Sequence, residues 1–232
     1  MGASYHTNCL DALDNYTSKD QGKTHTCYAY AIAGIIVLAS DRVHGRKKLN
    51  FNEIKDKIVR NYGGKDGGDV DYILLNTGLL GEYRLRCNEI KCDEAIEILE
   101  LPNPRPIIAT FYLNAEQWNS LSNFYDKNPD GILYKEDLKK YYDPKQESSS
   151  GGHAIIIMGI GLYVDSRGLT MFDRFRFHYF KIVNSWGDNW ANKGFFKVSV
   201  GAIKFKFYDV YWYESDLTEE EREKYKLDYP ED

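Results

Sequence analysis

Three of the chain's six prolines fall at Pro102, Pro104 and Pro106, inside "LPNPRP" (Leu101 to Pro106). Proline at alternate positions removes backbone donors and forbids both a helix and a ladder strand. The texture of the sequence differs on the two sides of this break. Before it, the run from Cys27 to about Val43 is apolar nearly all round and of helical length, so it reads as a buried central helix. Phe51, Ile54, Ile58 and Val59 fall near helical spacing in "LNFNEIKDKIVRNYG", ahead of Gly63 and Gly64. "DVDYILLNTGLLG" reads as one short helix with a glycine stop, and "KCDEAIEILEL" as a helix or as a helix after a short strand. After the break, "IIATFYL", "HAIIIMGIGLYV", "FHYFKIVNSW", "GFFKVSV" and "FKFYDVYWY" are rich in β-branched and aromatic residues and are parted by Gly, Asp, Asn and Ser. Helices first and strands second predict an α+β fold, with lobes at about 14–105 and 106–213 and an acidic tail at 214–232, read as a short helix or as disordered.

At 232 residues the chain can bury a sizeable core. A net charge of −5 offers no broad basic face, which argues against nucleic acid as the main partner. The cluster "RVHGRKK" is short and interrupted, and reads as a solvated helix end. The longest apolar run, Cys27 to Ala39, falls short of the roughly 18 residues a membrane span needs. "MGASYHTNCLDALDNYTSKD" has neither the basic nor the apolar region of a signal peptide and does not match a myristoylation motif. A chain complete as written is expected in the cytoplasm, and a chain trimmed of a leader would look the same. The four cysteines are Cys9, Cys27, Cys87 and Cys92. Cys87 and Cys92 could pair, but free thiols fit better, and a single Cys-x4-Cys is a poor zinc site.

The polar stretch "QGKTHT" meets Cys27 where the apolar helix begins. A thiol attacks as thiolate, and two devices favour that form: the positive end of a helix and a nearby imidazolium. His153, behind Gly151-Gly152 and at the mouth of an apolar strand, is the best partner. Asn184 in "NSWG" could accept a hydrogen bond from the ring and orient it.

These stretches together resemble the papain-like cysteine proteases. "KDQGKTHTCYAYAIA" resembles the family's nucleophile segment, "GGHAIIIMGIG" its histidine strand, and "YFKIVNSWGDNWANKGFFKV" its asparagine–tryptophan segment. "LNFNEIKDKIVRNYGGKDGG" resembles a cleft wall, and "RPIIATFYLNAEQWNSLSNFYDKNPDGIL" the entry to the second lobe. The likeness runs over roughly residues 17–213. It implies a helical lobe and an antiparallel barrel-like β lobe with the active-site cleft between them.

By that resemblance Cys27 is the nucleophile and His153 its ion-pair partner and proton donor, with Asn184 orienting the ring. Gln21 supplies an oxyanion-hole amide beside the Cys27 backbone N–H. Trp186 covers the His–Asn hydrogen bond. Gly67 and Gly68 admit an extended substrate backbone, and Gly68 and Ala154 shape the pocket beside the scissile bond. The implied reaction is endopeptidase hydrolysis through an acyl-enzyme, with no metal or organic cofactor. The implied partners are a peptide or protein substrate and a protein inhibitor, without nucleic acid or membrane, on a monomer.

The chain also departs from the pattern. The family's "CGSCW" is "THTCY" here, so His25 stands where a glycine is usual and Tyr28 where Trp is usual. Thr24 and Lys65 replace both halves of a disulfide, as expected for a reducing compartment. About ten extra residues near "DSRGLTMFDRFR" read as a surface hairpin. The 26 residues before Cys27 are about the length of a mature N-terminus, so the family's inhibitory pro-segment is either trimmed or absent; a lysosomal, vacuolar or secreted location follows if it was removed. Two other readings use the same fold: a binding module that has lost turnover, and a non-proteolytic acyl transferase or hydrolase.

Overall fold

The apolar run does form a helix, α1 (Cys27–Asp41), whose residues are buried on almost every side in this computed structural model. The structure describes residues 16–143, 145–146, 148–164 and 176–228. Cys9 and the expected surface hairpin at 165–175 lie outside them. A helix with no polar face has to be covered all round. One cover is α2 (Phe51–Tyr62), which buries Ile54 and Ile58 and is capped by Asn50, whose side-chain oxygen accepts from the Asn52 and Glu53 backbone N–H groups.

The single helix expected at 69–81 is two, α3 (Val70–Asn76) and α4 (Leu79–Glu82). They are parted at Gly78, which sits at φ 72°, a left-handed conformation that stops a helix. Then β1 (Arg86–Ile90) precedes α5 (Cys92–Glu100), the second of the two alternatives for that stretch.

Beyond the proline-rich break come β2 (Ile107–Leu113), α6 (Ala115–Lys127), β3 (Ile132–Leu133), α7 (Asp137–Lys140), β4 (Gly151–Val164), β5 (Arg176–Val183), β6 (Phe195–Ser199) and β7 (Phe205–Tyr211). All seven strands share one sheet in the order β1-β7-β2-β4-β5-β6-β3. Its pairings are antiparallel except β3 with β6, which is parallel. β1 comes before the break yet pairs with β7, so the helical part lends a strand to the sheet.

The uninterrupted apolar stretch in β4 is explained by burial on both faces. Ala154, Ile156 and Met158 pack with α1 in one apolar cluster. Ile155 and Ile157 face a second, with Phe180, Phe207 and the α6 residues Leu121, Phe124 and Tyr125.

The acidic tail is a docked helix, α8 (Glu219–Asp228). Glu221 is 3% exposed and accepts hydrogen bonds from both Arg46 and Arg84. Arg86 forks onto Asp216 just before it, at 2.7 and 2.8 Å. Among the described residues, no helix is long and apolar enough to cross a membrane.

Candidate active site

Cys27 is the first residue of α1, after Thr26, whose side chain makes no capping bond. The thiol therefore lies at the amino end of a helix with first-turn backbone N–H groups left uncapped. Burial nevertheless pushes the thiol pKa up, and the backbone groups of Ala154, Tyr28 and Cys27 only partly offset it. Burial thus acts against the lowering that the helix end favours. Cys87 and Cys92 are free thiols, also pushed up by burial, Cys87 to about 12.

His153 lies near the start of β4, opposite Phe111 of β2. Its Nε2 is 2.7 Å from Asn184 Oδ1, and the Ser185 backbone N–H donates to the same oxygen at 2.8 Å. With that oxygen accepting, Nε2 carries the proton and Nδ1 is left as the basic nitrogen. Asn184 is anchored through its backbone: its N–H donates to Gly194 O at 2.9 Å, and Ser18 Oγ donates to its carbonyl at 2.8 Å.

Trp186 lies against the imidazole, ring centroids 5.0 Å apart. Phe111 and Trp118 close the remaining sides at 5.6 and 5.7 Å, both edge-to-face. Burial in this aromatic box lowers the His153 pKa to about 4, against the opposing effect of the Asn184 hydrogen bond. Each partner is thus driven toward its neutral form. An ion pair at rest, as the resemblance implies, would have to overcome both desolvation costs.

Gln21 is locked from two directions. Its backbone N–H donates to Ser185 O at 2.8 Å and its Oε1 accepts from Ser185 Oγ at 2.5 Å. Nε2 donates one hydrogen to Thr24 O at 2.6 Å, which leaves the other for a ligand oxygen.

Gln21, Cys27, His153, Ala154, Trp186, Gly67 and Gly68 all line one open cleft of about 1080 Å³, so seven of the eight site residues named from the sequence meet there directly. Asn184, the eighth, is reached through His153. His25 also lines the cleft and is exposed, so it adds to the rim without filling the floor.

Gly68 has a structural duty that sequence reasoning did not supply. A Cβ there would come within 2.5 Å of the Tyr28 ring. Tyr28 is 1% exposed, and its hydroxyl both donates to Gly64 O at 2.9 Å and accepts from Gly64 N–H at 2.8 Å. The residue after Cys27 thereby ties down the glycine-rich wall. Phe111 and Trp118 were also missed. Trp118 sits on α6, a helix hidden within a stretch read as a strand entry, though its Asn114–Gln117 capping box was a visible signal.

Residues 123–212 match the family model described as "Papain family cysteine protease". The chain is 22% identical over 201 residues to Pro-cathepsin H of Bos taurus, covering 79% of this chain and 56% of that protein. Cathepsin J of Mus musculus is 25% identical over 195 residues, covering 78% and 56%. The chain thus spans little more than half the length of these curated relatives. A solved structure of digestive procathepsin L2 proteinase from Tenebrio molitor larval midgut superposes with a TM-score of 0.52 at 15% identity, over 91% of this chain and 69% of that one, a likeness of fold. Residues 123–212 are thus similar in sequence to the papain family, and the chain is papain-like in fold.

Proposed function

We propose that this chain is a cysteine endopeptidase in which Cys27 is the nucleophile, His153 the general base and acid, and Asn184 the residue that orients the imidazole. The observation that carries this reading is the 2.7 Å bond between His153 Nε2 and Asn184 Oδ1, with His153 lining the same open cleft as the Cys27 thiol. That bond assigns the tautomer, so Nδ1 is the nitrogen free to take a proton.

Burial opposes both charges, so the proposed cycle starts from neutral thiol and neutral imidazole. As the peptide binds, Nδ1 takes the thiol proton while sulfur attacks the scissile carbonyl. The oxyanion meets the second hydrogen of Gln21 Nε2 and the Cys27 backbone N–H. The imidazolium gives its proton to the leaving amine, and the C–N bond breaks to leave a thioester. His153 then removes a proton from water as it attacks the thioester, releasing the acid and restoring the thiol.

The test pairs a peptide library with mass-spectrometric mapping of a thiol-directed electrophile. Cleavage within peptides, lost in both Cys27→Ser and His153→Ala, together with preferential labelling of Cys27 over Cys87 and Cys92, is the expected result. Equal labelling of the three thiols with no cleavage would favour the binding-module reading and end this one.

A further inference from the structure

The sheet register fixes what floors one end of the cleft. Thr110 pairs with Ala154 on one side and with Lys206 on the other. Directly opposed residues point to the same face of a sheet. Ala154, Thr110 and Lys206 therefore form one row, and all three line the cleft. Strands lie about 4.8 Å apart, so the row runs roughly 10 Å from the residue beside the thiol to Lys206.

At its far end Lys206 meets Asp71, the second residue of α3, on the opposite wall. Glu89 of β1 holds the same ammonium at 3.1 Å. Asp69 and Asp66 lie on the Asp71 wall, while Lys204 is the other cation lining the cleft. Three carboxylates and two ammonium groups thus line this end of the cleft, and Glu89 holds Lys206 from outside the lining. Nearer the thiol the lining is small and apolar, with Val70 and Ala154 both buried.

We propose that this end of the cleft selects a cationic group of the bound peptide, a lysine or arginine side chain or a free α-ammonium, through the Asp71 carboxylate. The inference rests on the peptidase reading for the placement of the peptide. A long basic side chain lays its aliphatic stem over Val70, Thr110 and Ala154 and carries its charge to the end of the row. The Asp71–Lys206 pair does not prevent this. Its partners are 43% and 37% exposed, and pairs so exposed are weak and readily exchanged. When the ligand takes Asp71, Lys206 keeps Glu89. A carboxylate on the peptide would meet the excess of acidic groups instead.

The experiment measures binding to the full chain carrying Cys27→Ala, so that turnover plays no part. The probes are N-acetylated pentapeptides with Lys, Arg, Leu or Glu scanned through each position, and the Leu peptide with a free amino terminus. Lys or Arg at one position should bind about five- to tenfold more tightly than Leu, with Glu weaker than Leu. The preference should shrink in higher salt. Asp71→Asn should remove it, and Lys206→Gln should enlarge it by freeing Asp71.

A gain seen with acetylated Lys identifies the side chain as the group selected; a gain seen only with the free terminus identifies the α-ammonium. Equal affinity for all peptides, or a preference that survives Asp71→Asn, overturns the proposal. A cation preference found in a chain whose unmutated form cleaves no peptide would sink the peptidase reading and uphold this one.

Discussion

Glu221→Gln is the sharpest test of how the tail helix is held. The substitution keeps the shape and removes the charge. It leaves Arg46, whose side chain is 5% exposed, facing a neutral amide. Removing one partner of a buried ion pair costs about 3–5 kcal/mol, because the remaining charge stays desolvated. Arg84 is 38% exposed and can turn to water, which places the expected loss at the lower end, about 3 kcal/mol.

The titration of Glu221 gives a second route to the same figure. Burial raises its pKa, but Arg46, the Thr218 backbone N–H and Arg84 more than reverse this and bring it from 4.5 to about 2. A carboxylate with a lowered folded pKa contributes stability above its unfolded pKa and loses it as the pH falls through the folded value. The drop corresponds to about 3 kcal/mol, present in full above pH 4.5 and gone near pH 2. Urea unfolding at pH 7, 4 and 3 measures both effects. The variant's midpoint should fall sharply at pH 7, and the two proteins should converge as the pH drops. An unchanged midpoint at pH 7, or parallel pH profiles, would refute the reasoning.

Three further outcomes follow from the site. His153, lowered to about 4, should lose basic function only as the pH falls through that value, so kcat/KM in short assays should have an acid limb near 4; a limb at 6.5 would mean that the aromatic box does not desolvate the ring. Asn184→Asp places a carboxylate on Nε2, favours the imidazolium, and should move that limb upward, whereas Asn184→Ala should lower kcat and move the limb further down, because the hydrogen bond that raises the ring's pKa is lost. Gly68→Ala drives a methyl into the Tyr28 ring and should cost about 1–3 kcal/mol in thermal or urea unfolding, with Tyr28→Phe costing a further share through Gly64; a Gly68→Ala protein as stable as its parent would show that the ring can move aside.

The residues that meet in the cleft carry local marks in the sequence, each weak by itself, and the resemblance joined them. Cys27 stands where polarity changes, His153 follows two glycines at a strand mouth, and Asn184 lies in a short turn-forming segment. What was missed is cross-chain packing with no local mark. Phe111 and Trp118 look like ordinary strand and helix residues until β2 and α6 are brought beside β4, and nothing in "GGDVDY" shows that Gly68 faces an aromatic ring 40 residues earlier. Gly78 was visible, but its power to split 69–81 depends on a left-handed φ that the sequence only permits. Glu221 looked like one acidic residue among many, because its arginines come from residues 46 and 84.

The same distinction decides the chemistry. Sequence position sets Cys27 at a helix start, and that alone would favour a thiolate. Burial is a tertiary property, and it acts on both partners at once, raising the sulfur and lowering the imidazole. With the helix end and the Ala154 backbone opposing it, desolvation still sets the direction at the thiol. That direction predicts a proton on sulfur until a substrate carbonyl is in place to accept attack. Alkylation of Cys27 by a small neutral electrophile should accordingly rise with pH across the neutral range. A resting ion pair would instead hold the rate on a plateau from about pH 5 upward, and such a plateau would show that mutual attraction between the two charges outweighs the burial of each.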